Sequence, residues 1–282
     1  MKRFGQINVA CHPHDDADTY RELFKKAKRV RTAFRKEDYA QISPISKSKK
    51  DIFIGVLAVW TEIDKGTGVL GLKDLEEIEF NKSGVVIPPD LGFNYKLFQF
   101  SFNENTHQLF VEEKNESGQT LSVNSAAKAF DAIFKKIAAK MDGIDEVNIT
   151  VVPGQDTVKR IFEIKRLRSI KYRIERPNPD NNTDKFDRVS KRMEEENLGI
   201  IETKLVRAPG KETIELSDRH KEEIEVSSSN GYAVAVGIGG NGKSIKLSTK
   251  KYPKIIKHEK TETSTTSSML REVANIYTED DE

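Results

Sequence analysis

The sequence predicts an α+β fold on three observations. Two stretches, 18–34 and 122–140, space their apolar residues at i, i+3, i+4 and i+7, the period of an amphipathic helix. The run IFIGVLAVWTEI at 52–63 is continuously apolar, which suits a central strand covered on both faces. Shorter segments alternate apolar and polar residues between turns, as half-buried strands do. These strands come in groups rather than one between each pair of helices, so a regular alternation of strand and helix is not expected.

Residues 4–10 read as the first strand, closed by the turn Cys11-His12-Pro13-His14-Asp15-Asp16. Asp16 or Asp18 would cap the next helix. Tyr20, Leu23, Phe24, Ala27, Val30 and Phe34 form its core face, and Arg21, Lys25, Lys28, Arg29, Arg35 and Lys36 its outer face. Its acidic start and basic end suit the helix dipole. The Lys-rich segment 43–51 reads as a loop. After the central strand, Gly66, Gly68 and Gly71 mark another loop, and 78–80 and 85–87 flank a turn. Segments 95–102 and 108–112 read as a hairpin around Asn103-Glu104-Asn105. The second helix, 122–140, turns Ala126, Ala129, Phe130, Ile133, Phe134 and Ile137 inward.

Asp142-Gly143 marks the expected boundary between an N-terminal α+β domain, 1–142, and a C-terminal one, 143–258. The second holds strands at 147–152, 169–176, 200–206, 213–216, 232–236 and 244–248. Helices are expected at 156–167 and from Thr183 or Asp184 to about Leu198. Residues 259–282 read as a low-complexity linker, a short helix at 269–277 and an acidic tip. A helix that short is marginal alone, so Met269, Leu270, Val273, Ile276 and Tyr277 are expected to dock on the body or on a partner.

The 282 residues can bury a substantial core, although only 36% are hydrophobic and mean hydropathy is −0.60. No window resembles a membrane span or a signal peptide. The single cysteine, Cys11, precludes an intramolecular disulfide and fits a reducing cytoplasm. Net charge is only +2, but it is unevenly spread. From Leu23 to Lys36 there are seven basic residues and no acid. The stretch 159–180, KRIFEIKRLRSIKYRIERPNPD, holds eight more. In it Ile170, Tyr172 and Ile174 alternate with Lys171, Arg173 and Glu175, an apolar face and a cationic face of one strand. Such segregation suits a phosphate backbone, where each neutralised phosphate releases counterions. The residues expected to bind nucleic acid are Lys25, Lys28, Arg29, Lys36, Lys165, Arg166, Arg168, Lys171, Arg173 and Arg176. The two runs must form one positive track for this to hold.

Other motifs are better explained structurally. GIGGNGKS at 237–244 fits the phosphate-loop pattern, but 244–249 alternates as a strand, so a hairpin around Asn-Gly is expected. His12, His14, Asp15 and Asp16 offer metal-ligand types without a second ligand cluster, so no metal is assigned. Cys11 has no activating neighbour. Asn178 and Asp180 could present at a site edge, although RPNPD is first of all a turn. No cofactor is expected.

INVACHPH near the start, IPPDLGFN at 87–94 and RPNPD at 176–180 resemble an uncharacterised family of bacterial and prophage proteins over about residues 5–250. That resemblance implies phage exclusion or antiviral defence, but no activity. In layout alone, the chain is similar to the lambda exclusion protein RexA, which implies a cytoplasmic homodimer that binds double-stranded DNA with little sequence preference. The alternatives are a metal-dependent, toxin-like nuclease using dispersed acids with His12 and His14, and an adaptor using 269–277.

Overall fold

The computed structural model describes residues 1–13, 18–47, 51–177 and 184–279. The chain begins with β1 (Lys2–His12), α1 (Asp18–Ala27), β2 (Thr32–Arg35), β3 (Asp38–Lys47) and β4 (Ile52–Thr61). Two short strands, β5 (Val69–Leu70) and β6 (Glu77–Ile78), precede β7 (Phe93–Asn103), β8 (Gln108–Glu112), α2 (Val123–Ala138) and β9 (Glu146–Val151). There follow α3 (Gln155–Phe162), β10 (Arg166–Glu175), α4 (Asp184–Glu195), β11 (Ile200–Val206) and α5 (Asp218–Ser229). The chain closes with β12 (Gly231–Ile238), β13 (Ser244–Ser248), β14 (Ile255–His258) and α6 (Thr266–Glu279). The fold is α+β, as expected.

Two antiparallel sheets organise these elements. The larger runs β14-β1-β8-β7-β4-β3-β2, with β9 also paired to β1. Strand β1 is long enough to take β8 on one edge and, on the other, β14 at residues 2–5 and β9 at 7–12. Its inner face carries α1 and α2. Phe24 stacks on Phe102 at 4.6 Å and meets Phe134 edge-on at 4.9 Å, while Phe130 meets Phe100 edge-on at 5.1 Å. Each buried ring contributes about 1.5–3 kcal/mol. Ser122 caps α2, its Oγ accepting from Ser125 N at 3.2 Å.

The outer face of this sheet is covered in part by α6. Met269, Leu270, Val273 and Ala274 are buried there against Phe4, Ile52, Ile54 and Phe110. Ser101 Oγ donates to Leu270 O and Asn103 Nδ2 to Ala274 O, at 3.1 and 3.0 Å. The tail helix thus docks on its own body through Met269, Leu270, Val273 and Ala274, while Ile276, expected to dock with them, stays 49% exposed.

The second sheet has the order β11-β10-β12-β13, all antiparallel. Helices α3, α4 and α5 cover one face over Ile170, Tyr172, Ile174, Ala233 and Ala235. A buried polar network ties α5 and α4 to β10. Tyr172 Oη donates to Glu223 and lies 2.7 Å from His220 Nδ1; Arg192 and Arg219 each reach Glu223 Oε1 at 2.9 Å. Burial pushes the Glu223 carboxyl up, but hydrogen bonds from Tyr172 and Arg219 and the nearby Arg charges outweigh it and hold the group low.

Several elements differ from the sequence expectation. The helix expected at 18–34 ends at Ala27. Arg29 N bonds Ile42 O at 2.9 Å, Arg29 takes φ 63°, and 32–35 joins β3 as a strand. Val30 and Phe34 continue the helical spacing, yet they reach the core from this strand side. Residues 43–47 belong to β3 rather than to a loop. Leu167 lies in β10 instead of ending a helix, and 213–216 forms no strand. The 142/143 boundary does not separate the sheets, because β9, β14 and α6 all join the N-terminal one.

Candidate nucleic-acid interface

The uncovered face of the second sheet follows from strand parity. With Ile170, Tyr172 and Ile174 inward, β10 turns Lys171, Arg173 and Glu175 outward. An irregularity between Leu167 and Ser169 adds Arg168 to this side, and Arg166 lies beyond it. Register sets Lys204 of β11 opposite Lys171, and Glu202 and Tyr232 on either side of Arg173. Lys246 of β13 lies opposite Val236. This face therefore presents Arg166, Arg168, Lys171, Arg173, Lys204 and Lys246 against two acids, Glu175 and Glu202.

Both acids are engaged. Lys171 Nζ lies 2.8 Å from Glu202 Oε1, and Arg173 Nε 3.2 Å from Glu175 Oε1. The Glu202 carboxyl is held low and the Lys171 ammonium high, each chiefly by their mutual hydrogen bond. Arg176 is 3.7 Å from Glu194, and Lys25 is 3.1 Å from Glu22. Apart from the half-buried Arg173–Glu175 pair these are exposed, where an ion pair contributes only ~0–1 kcal/mol, so a phosphate can displace the acid at small cost. No ion pair among the described residues engages Lys28, Arg29, Lys36, Lys165, Arg166, Arg168, Lys204 or Lys246. Like charges directly opposite across strands, as at Lys171 and Lys204, oppose folding.

The N-terminal turn of α2 joins the two basic runs. Arg35, beside Lys36 in the β2–β3 turn, donates to Ser125 Oγ at 2.9 Å. Asn124 Nδ2 donates to Lys250 O at 3.0 Å. Lys250 Nζ lies 4.0 Å over the Tyr232 ring, on the open sheet face. Burial pushes its ammonium below the usual lysine range; Glu175 opposes this, and the charges of Arg173 and Lys128 add to it. Lys28 and Arg29 lie toward the far end of α2, where Lys136 Nζ bonds Arg31 O at 2.8 Å. At 1.5 Å per residue, α2 spans roughly 20 Å between these ends. Sequence reasoning missed Lys128, Lys204, Lys246 and Lys250. The alternation in IETKLV and the Lys250-Lys251 pair were the only signals.

The remaining motifs resolve as follows. GIGGNGKS is the β12–β13 hairpin; Gly239 N bonds Lys243 O at 2.9 Å, and Gly242 takes φ 74°. Cys11 is buried, which pushes its thiol up to about 12. His12 Nε2 lies 2.9 Å from Arg176 O, so the ring donates there and that nitrogen has no lone pair for a metal. This contact joins the HPH and RPNPD segments beside a cleft of about 660 Å³, also lined by Pro177, Asp187, Ser190, Lys191 and Glu194. His14, Asp15, Asp16, Asn178 and Asp180 lie outside the described residues. Among the described residues no group of three His, Cys, Asp or Glu side chains could hold a metal ion. No described helix is long and apolar enough to cross a membrane.

Fold and surface together define a class: an α+β protein of two antiparallel sheets, one with an open face rich in lysine and arginine. The chain belongs to the family described as Domain of unknown function (DUF4747), whose model matches residues 3–275. The match includes most of α6, which lay outside the resemblance in the sequence. No curated protein matches the chain.

Proposed function

We propose that the protein binds double-stranded DNA with little sequence preference, through the open face of β10, β11 and β13 and the flank of α2. The observation that carries this reading is the set of exposed cations without acid partners among the described residues, Arg166, Arg168, Lys204 and Lys246, gathered on one sheet face. Phosphates are the chemistry that such a set recognises, and phosphate contacts position a duplex without reading its bases. The reading sets the protein in the cytoplasm with its DNA. Support for a role in phage exclusion or antiviral defence comes from the resemblance of its motifs alone.

The test is a fluorescence anisotropy titration of random-sequence duplex, repeated with unrelated sequences and at rising salt. Equal affinity for all sequences and a steep fall with salt are expected. Failure to bind duplex at low salt ends the proposal. Mg²⁺- or Mn²⁺-dependent cleavage of the probe would instead favour the nuclease alternative.

A further inference from the structure

Between β4 and β7 the chain leaves the large sheet as an arm. Thr61 and Phe93 are register partners, and residues 62–92 lie between them. The arm's regular pairing is the two-stranded ribbon of β5 and β6. Its base is fixed where Lys65 Nζ donates to Ile87 O at 3.1 Å, and where Gly92 approaches Trp60 so closely that a Cβ would come within 2.1 Å of the ring. Among the described residues, eleven of the sixteen exposed large apolar side chains lie between 63 and 97. Leu72 is 86%, Val86 88% and Leu75 71% exposed; Tyr95 and Leu97, on the adjoining part of β7, are 66% and 47% exposed.

We propose that this arm and the adjoining end of β7 form the contact surface between two copies of this chain. Area is the first argument. Together these side chains expose roughly 1,000 Å² of apolar surface, enough to supply the ~800 Å² that each partner buries in a standard interface. The ribbon is the second. A two-stranded sheet is marginal by itself, and neither β5 nor β6 has another strand beside it among the described residues. Across a twofold axis a ribbon edge meets its own copy, so one self-complementary contact extends both sheets. Charge is the third: Lys82 is paired with Glu79 within the chain at 2.7 Å, while Lys73 shares the arm with Asp74, Glu76 and Glu77, which lets Lys73 of one copy face these acids of the other.

The test is sedimentation velocity on the full chain at about 50 μM, above the Kd expected of an interface this size. Wild type is expected at twice the 32.0 kDa chain mass. The double variant Leu72→Glu, Val86→Glu is expected at the single chain mass, with circular dichroism unchanged because both side chains are exposed in the single chain. Hydrogen exchange supplies a readout without substitution: amides of 62–92 are expected to exchange more slowly as wild-type concentration rises. Wild type sedimenting at the single mass, a variant that keeps the doubled mass, or arm exchange independent of concentration overturns the proposal.

Discussion

Replacing Arg166 and Arg168 together by alanine isolates the electrostatic contribution of the open sheet face. Both side chains are exposed and neither has an ion pair among the described residues, so stability should change by no more than about 0.5 kcal/mol. Each lost phosphate contact lowers the slope of log K against log salt by about 0.9, hence about 1.8 for the pair. If that contribution vanishes near 1 M salt, the variant binds random duplex about 200-fold more weakly at ~50 mM and about 20-fold more weakly at ~200 mM. Anisotropy titrations across this range measure both slope and ratio. Equal slopes for the two proteins, with the variant folded, would refute the assignment of these arginines to phosphate.

Three other perturbations probe different parts of the molecule. Glu202→Gln releases Lys171 from its partner and removes a charge that repels phosphate; tighter duplex binding is expected in the same titration. Glu223→Gln takes from Arg192 and Arg219 their shared carboxylate on α5, though both arginines stay in reach of water and Arg192 keeps Glu196; urea unfolding should show a loss of about 1–2 kcal/mol. Glu116 is held down at about 2 by hydrogen bonds from Thr266, Lys260 and Lys2, which ties the start of α6 to the sheet. A lowered carboxylate stabilises above its unfolded value of 4.5, and that stabilisation is lost as pH falls toward about 2. Because the group is largely exposed, the gain is at most ~1 kcal/mol. Wild type should melt above Glu116→Gln near neutrality, and the gap should close through that acid range.

The fold class and the strongest elements were legible because they carry their own period. Helix α2 combines its apolar stripe with a capping serine, and β10 alternates so strictly that its inward residues are Ile170, Tyr172 and Ile174. Helix α1 was drawn too long because Val30 and Phe34 preserve helical spacing while serving the core from the β2 side, where pairing with β3 prevails over local preference. Helix α5 went unread. Its buried apolar residues are only Ile224 and Val226, and its firmest anchor is the charged Glu223. Sheet membership was equally hidden, since β9 and β14 both join β1 by contacts distant in sequence.

The ten cations chosen from the sequence were runs along the chain. The surface is assembled across it. Lys204 faces Lys171 only through the β10–β11 register, and Lys250 reaches Tyr232 only because α2 holds the following segment in place. Neither relation has a signature in linear spacing. Conversely, four of the ten, Lys25, Lys171, Arg173 and Arg176, have acid partners. Glu202 comes from a neighbouring strand, Glu22 and Glu194 from helices and Glu175 from the same strand, which a count of basic residues does not register.

Lysine acetylation footprinting, read by mass spectrometry with and without random-sequence duplex, tests most directly whether the sheet face and the α2 flank act as one surface. Protection of Lys128, Lys171, Lys204 and Lys246 together is expected, with Lys73 and Lys82 on the arm as reactive as in the free protein. Unchanged reactivity at the first four, or protection confined to the arm, would contradict it.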